Sequence, residues 1–175
     1  TLGKPKDWRG RRHLLAADGG LLDGTWINAA YWRYGNFKAQ LLVFDGETAF
    51  GVQAVRKLEW KSYSHDVFTP GREGYRAFSA SVAAAGAAGG RRQKGRAPRP
   101  LWEEKIPVRA QAMVLTGKHL FLAGAPDVAA REKPWAAFEG RDRGVLYVMS
   151  REDGSKLAEY PLPAAPVYDG MAAAG

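Results

Sequence analysis

Towards its end the 175-residue chain reads GVLYVMSREDGSKLAEY, from Gly144 to Tyr160. Two short runs suited to strands, residues 145–149 and 156–160, are separated here by Asp153-Gly154. Asp-Gly is a strong turn signal, because both residues tolerate the positive φ that a tight turn requires. The pattern predicts two antiparallel strands joined by a short turn.

The same turn signal recurs along the whole chain. Five of the nine aspartates are followed directly by glycine. Stretches with helical periodicity are almost absent, so the sequence predicts an all-β protein of short antiparallel strands. The pairs are Asp18-Gly19, Asp23-Gly24, Asp45-Gly46, Asp153-Gly154 and Asp169-Gly170.

Three hairpins are predicted from pairs of apolar runs, within residues 39–55, 110–123 and 144–160. Residues 58–63 largely alternate apolar and polar side chains, which predicts a further half-buried strand. Pro161, directly after the last run, excludes a central position in a sheet for that strand. The last two hairpins supply four strands in about 50 residues, which matches one blade of a β-propeller. A sandwich or barrel is the alternative.

Composition narrows the chemistry. The chain has no cysteine, which excludes disulfides, thiolate metal sites and a cysteine nucleophile. No apolar run approaches the roughly 18 residues of a membrane span. With 46% hydrophobic residues, the 175 residues are expected to form a single globular domain.

Residues 81–100 differ in composition from the rest of the chain. Residues 83–90 are only alanine and glycine, and five of the net +8 charges come from residues 91–99. We predict a disordered Ala/Gly/Arg-rich insertion between two structured halves. Its cations could bind phosphates in a salt-dependent way, but no aromatic residues are interleaved to stack on bases, so nucleic acid is not the expected partner. The candidate contacts are Arg91, Arg92, Lys94 and Arg96.

One cluster of aromatic residues with an arginine is the candidate ligand site. Such a set can stack on sugars, bases or quinones while the guanidinium pairs with a carboxylate. The alternative is that these side chains pack in the protein interior, as large aromatic residues commonly do. The cluster consists of Trp26, Tyr31, Trp32, Arg33 and Tyr34.

No catalytic residue and no metal site are predicted. The three histidines are far apart and lack the spacing of metal ligands. Ser64-His65-Asp66 places three suggestive residues side by side, but a catalytic triad is assembled from separated positions. Glu103-Glu104 is interpreted as the charged start of a strand.

The stretch from Gly144 to Tyr160 resembles the quinoprotein-like (PQQ-like) propeller repeat. In that repeat a strand ends in a small residue, and Asp, Gly-Lys and an aromatic residue follow. Ser155 departs from the repeat by separating Gly from Lys, and a tyrosine replaces the usual tryptophan. The matching positions are Ser150, Asp153, Gly154, Lys156 and Tyr160.

Residues 21–35 and 41–48 also look like bacterial PQQ-binding-like propeller proteins, and residues 166–172 look like the crossing into a next blade. The resemblance implies antiparallel blades of a partial propeller and a fragment of a longer, extracytoplasmic protein. It implies a non-catalytic scaffold for an unknown protein or small ligand. The alternative is a propeller enzyme, an oxidoreductase of the quinoprotein type or a hydrolase, with its active site partly outside this segment. No cofactor is expected, PQQ included, because no acidic cluster has calcium spacing.

Overall fold

Eleven β-strands lie in the part of the chain that the computed structural model describes, residues 13–17, 30–34, 37–54, 74–82, 99–127, 136, 141 and 143–174. They form three antiparallel sheets, and neighbouring strands in each sheet are also neighbours in the chain. The predicted all-β class is therefore confirmed for the described residues.

The first sheet has three strands, β1 (His13–Ala17), β2 (Ala30–Tyr34) and β3 (Phe37–Ala39). β2 lies in the middle and pairs with both of its neighbours.

The second sheet contains β4 (Leu41–Phe44), β5 (Thr48–Ala54), β6 (Tyr75–Ser81) and β7 (Trp102–Ile106), in that order across the sheet. β4 and β5 are the hairpin predicted within residues 39–55. Its turn is built locally, because the Asp45 Oδ1 atom accepts hydrogen bonds from the backbone amides of Glu47 and Thr48.

The third sheet contains β8 (Val108–Leu115), β9 (His119–Pro126), β10 (Gly144–Ser150) and β11 (Lys156–Leu162). Its spatial order follows the chain, with β8 and β11 on the two sides. The two hairpins predicted here, and their union in one four-stranded sheet, are confirmed. Pro161 lies in the outer strand β11, where a missing ladder donor is tolerated.

The strands on the two sides of residues 81–100 pair with each other, with Ser79 opposite Trp102. The insertion therefore connects neighbouring strands of one sheet and does not separate two structured halves, which corrects that part of the prediction. Ser81 is the last residue of β6. Residues 83–98, and the strand predicted at residues 58–63, lie outside the described residues.

Two hydrophobic clusters lie between consecutive sheets. The smaller cluster joins Ala39 of the first sheet to Phe78 and its neighbours on the second sheet. The larger one fills the space between the second and third sheets. The second sheet thus buries both faces, and each fully buried large side chain contributes about 1.5–3 kcal/mol. The largest fully buried apolar side chains are Phe50, Ile106, Leu120, Leu122, Met149, Val52 and Val108.

The spacing between the second and third sheets is uneven. Their first strands, β4 and β8, lie nearest each other. The later strands of the two sheets carry the large side chains of Tyr75, Trp102 and Tyr147, which lie in the interface between the sheets. The contact between the two sheets is therefore closest along β4 and β8.

Candidate functional site

Trp102, the first residue of β7, connects the second sheet to the third. Its indole Nε1 donates a hydrogen bond to the Arg151 carbonyl oxygen at 3.0 Å. The benzo ring covers Gly154, since a Cβ built there would lie 2.5 Å from Trp102 Cε3. The Phe50 ring packs beside it, with centroids 6.2 Å apart. We call Asp45, Phe50, Trp102, Arg151 and Gly154 the Trp102 junction.

Gly154 can accept the indole because of the turn between β10 and β11. Its φ is +76°, a left-handed conformation that glycine adopts at little cost. The turn is closed by hydrogen bonds from Gly154 N to Ser150 O at 3.0 Å and from Ser150 N to Ser155 O at 2.8 Å. The Asp-Gly signal of the sequence therefore produces the flat surface on which the ring rests.

The carboxylate of Asp153 stabilises this turn from the outside. Its Oδ1 accepts hydrogen bonds from Ser155 N at 3.0 Å and from Ser155 Oγ at 2.8 Å. The backbone hydrogen bond from Ser155, followed by the side chains of Ser150 and Ser155, holds the pKa of Asp153 below its usual value. The hydrogen bonds of the turn thus stabilise the charged form of the Asp153 carboxylate.

Arg151 brings three turns together. Its guanidinium forms an ion pair with Asp45 of the β4–β5 turn. The same group lies over the Phe50 ring, 5.7 Å from the centroid. The Arg151 amide donates to the carbonyl oxygen of Lys118, in the β8–β9 turn, at 3.1 Å. The Trp102 junction therefore connects the two sheets, and the charged groups of Asp45 and Arg151 within it pair with each other.

A second polar set lies on the outer strands. Lys156 Nζ is 2.7 Å from Glu159 Oε2 and 5.3 Å from the centroid of the Tyr147 ring. Burial raises the pKa of Tyr147, and the Lys156 charge opposes that rise. The hydrogen bond to Glu159 raises the pKa of Lys156. This set covers the outer margin of the interface.

The segment after β11 returns to the first strands of both sheets. Tyr168 Oη donates to the Gln40 carbonyl at 2.9 Å, and Asp169 N donates to the Gln111 carbonyl at 2.8 Å. Gln111 lies at an irregularity of β8 and has no partner residue in the β8–β9 register. Its side-chain Oε1 is buried without a hydrogen-bond partner.

The structure places four residues of the predicted ligand site on one strand. Tyr31, Trp32, Arg33 and Tyr34 are consecutive in β2, the central strand of the first sheet. Trp26 lies outside the described residues. The ligand site therefore stays a prediction.

The four candidate nucleic-acid contacts, Arg91, Arg92, Lys94 and Arg96, also lie outside the described residues. The same holds for Ser64-His65-Asp66.

The described residues contain no cluster of potential metal ligands. Among them, no three His, Asp or Glu side chains are close enough to hold a metal ion. The His119 ring packs edge-on against Phe121, with centroids 5.9 Å apart. Glu103, in the interior of β7, pairs with Arg76 at 2.6 Å. The expectation that no cofactor binds stays a prediction.

Neither Trp102 nor Arg151 is among the residues predicted from the sequence. One signal could have located the tryptophan. Trp102 is followed, after four residues, by Pro107-Val108, and Tyr160 is followed, after five, by Pro166-Val167. The two aromatic residues thus occupy similar places in a repeated pattern. Arg151 carries no comparable signal, because its partner Asp45 is more than 100 residues away.

Fold and junction together define an all-β protein whose consecutive four-stranded sheets are interlocked through a turn. Comparison with protein-family models, with curated proteins and with solved structures finds no match to this chain. Within the described residues, no helix is long and apolar enough to cross a membrane.

Proposed function

We propose that this chain is a non-catalytic binding or interaction scaffold of the PQQ-like β-propeller repeat class and part of a longer protein. The observation that carries the proposal is the serial packing of the second and third sheets through the Trp102 junction. The partner is a protein or a small ligand. The resemblance of the repeat favours an extracytoplasmic location.

The chain path supports a propeller over a sandwich. Each of the two four-stranded sheets is completed before the next begins, and only Pro107 separates β7 from β8. Propeller blades repeat in this way around an axis. Sandwiches of the immunoglobulin type instead distribute consecutive strands between their two sheets by Greek-key connections.

The uneven spacing of the second and third sheets also supports a propeller over a sandwich. Blades of a propeller approach each other at their inner strands and diverge outward, so their outer strands need larger side chains between them. Here β4 and β8 are the near strands, and Trp102 bridges from the last strand of its sheet. Rigid blades of this kind present loops for contact with partners.

The polar side chains of the junction favour a scaffold over an enzyme. Asp45 and Arg151 neutralise each other, and Asp153 is committed to its own turn. An active site would instead show perturbed groups that converge on a pocket. The alternative of a quinoprotein-type oxidoreductase or a hydrolase places the active site partly outside this segment.

Electron microscopy of the polypeptide expressed from its own gene tests the proposed fold. We expect a ring-shaped particle whose sheets radiate from a central axis. A flat two-layer particle, with the second and third sheets as its only two layers, would contradict the propeller.

Calorimetric titration of the same polypeptide with PQQ and Ca²⁺ tests the scaffold assignment. We expect no saturable heat, because the described residues offer no carboxylate cluster for the ion. Saturable binding would instead support the quinoprotein alternative. Titration with Ca²⁺ alone is the control for binding of the ion without the quinone.

A further inference from the structure

Three of the five Asp-Gly pairs lie in the part of the chain that the structure describes, beginning at Asp45, Asp153 and Asp169. In such a pair the following glycine has no side chain to hinder approach to its amide nitrogen. That nitrogen can bond to the aspartate Cγ and close a five-membered succinimide ring. All three pairs share this chemistry, so the structure around each pair decides which one reacts.

The carboxylates of Asp45 and Asp153 are held away from this reaction. Asp45 Oδ1 accepts hydrogen bonds from two backbone amides of its own turn, and its other oxygen pairs with Arg151. The Asp153 carboxylate accepts from Ser155, whose backbone hydrogen bond is the main cause that holds the pKa of Asp153 below its usual value. Both carboxylates therefore stay ionised, and ring closure, which must release a carboxyl oxygen as water, is slow at both.

The Asp169 carboxylate is not held in this way. It is exposed, and among the described residues none donates a hydrogen bond to it. Asp169 is also the only non-glycine residue of the described chain with a positive φ, +56°. It is the third residue of a turn closed by the hydrogen bond from Gly170 N to Val167 O at 3.0 Å. Glycine is the residue that favours a positive φ at this position of a turn, so Asp169 strains its own turn.

Little buried surface opposes the opening of this turn. Val167 and Tyr168 are 77% and 58% exposed, and two hydrogen bonds to backbone carbonyls hold the segment from outside the turn. Segments with so few buried apolar groups open locally at a low cost in free energy. Opening relieves the positive φ of Asp169 and releases the Gly170 amide, so that its nitrogen can reach the neighbouring carboxyl group.

We propose that Asp169-Gly170 is a site of spontaneous isomerisation to isoaspartate in the folded protein. The Gly170 nitrogen bonds to Cγ of Asp169, and the amide proton and the carboxyl OH group leave together as water. Water then adds to one of the two ring carbonyl carbons. Addition at Cγ restores aspartate, whereas addition at the backbone carbonyl carbon breaks its bond to nitrogen and leaves the chain running through Cγ. The extra methylene lengthens the turn and breaks its hydrogen bond to Val167. This inference does not depend on the proposed function.

Ageing of the polypeptide expressed from its own gene, at neutral pH, tests the inference. Trypsin places the three pairs on separate peptides, since it cuts after Lys156 and at several sites between the first two pairs. Electron-transfer fragmentation in a mass spectrometer distinguishes isoaspartate from aspartate, which have equal masses. Freshly prepared protein, digested in parallel, gives the background. Asp169→Glu is the control variant, because its side chain is one methylene too long for the five-membered ring.

The expected result is isoaspartate that accumulates with age at position 169, is absent from the Asp169→Glu variant, and stays at the background of fresh protein at positions 45 and 153. In urea we expect all three pairs to isomerise at similar rates, because the folded structure is what protects two of them. Background levels at position 169 of the folded protein, or equal accumulation at the three positions, would overturn the inference.

Discussion

At the scale of single residues, Gly154 is required both by the β10–β11 turn and by the interface between the second and third sheets. Its positive φ is required by the turn, and its missing side chain is required by Trp102. Gly46 also has a positive φ, +97°, but no atom lies within 4 Å of a Cβ built there. The chain thus offers a natural control in which only the conformational requirement is present.

Gly154→Ala is expected to destabilise the protein more than Gly46→Ala. The left-handed conformation alone costs a non-glycine residue about 1–2 kcal/mol. At position 154 the added Cβ must also displace the indole, which we expect to raise the total to about 2–4 kcal/mol. Urea unfolding of both variants measures the difference. Equal losses would show that Trp102 does not press on Gly154.

The ion pair between Asp45 and Arg151 is expected to couple the two sheets by about 0.5–1 kcal/mol, since its groups are only partly exposed. A double-mutant cycle with Asp45→Asn and Arg151→Met measures this coupling. The pair of Lys156 and Glu159 is the control, because both side chains are more exposed and we expect a coupling nearer to zero. A larger coupling in the control pair would contradict this ranking.

Asp153 gives the turn a defined pH dependence. Its pKa is lowered in the folded state, so its contribution to stability is present above the unfolded value of about 3.9. It is lost as the pH falls through the folded pKa. Asp153→Asn should therefore destabilise the protein at pH 7 and converge with the parent in acid, with Glu152→Gln as a neighbouring control. A pH-independent difference in the free energy of unfolding would rule out this explanation.

At the scale of the strands, the hairpins were predictable because their causes are local. The turn at Asp45-Gly46 is closed by a side chain only two and three residues away from its donors. The turn at Asp153-Gly154 is equally local. β7 was not predicted as a partner of β6, because an insertion separates the two strands in sequence. Pairing between strands that are distant in sequence depends on which strand edges are free in the folded sheet. A short sequence pattern does not contain that information.

The pairing of β6 with β7 predicts that the insertion between them can be shortened. Replacing residues 84–98 by a short Gly-Ser linker should change the free energy of unfolding by less than about 1 kcal/mol, because closure entropy varies slowly with loop length. Chemical denaturation of the parent and the shortened protein measures this. A loss well above that figure would show that the insertion contributes contacts of its own.

At the scale of the whole molecule, three sheets pack in series, and the second sheet is covered on both faces. The class of fold was predictable from turn chemistry and periodicity. The candidate site was not, because the Trp102 junction joins residues about 50 positions apart through a backbone carbonyl and a missing Cβ. Neither of these is visible in the identity of a side chain, so only the structure brings them together.

The Trp102 ring, resting on Gly154, connects the second and third sheets. The decisive measurement is the cost of Gly154→Ala, determined by urea unfolding in the parent and in a Trp102→Leu background. With the indole removed, we expect the cost to fall to that of Gly46→Ala, about 1–2 kcal/mol. An unchanged cost of Gly154→Ala in the two backgrounds would contradict this contact.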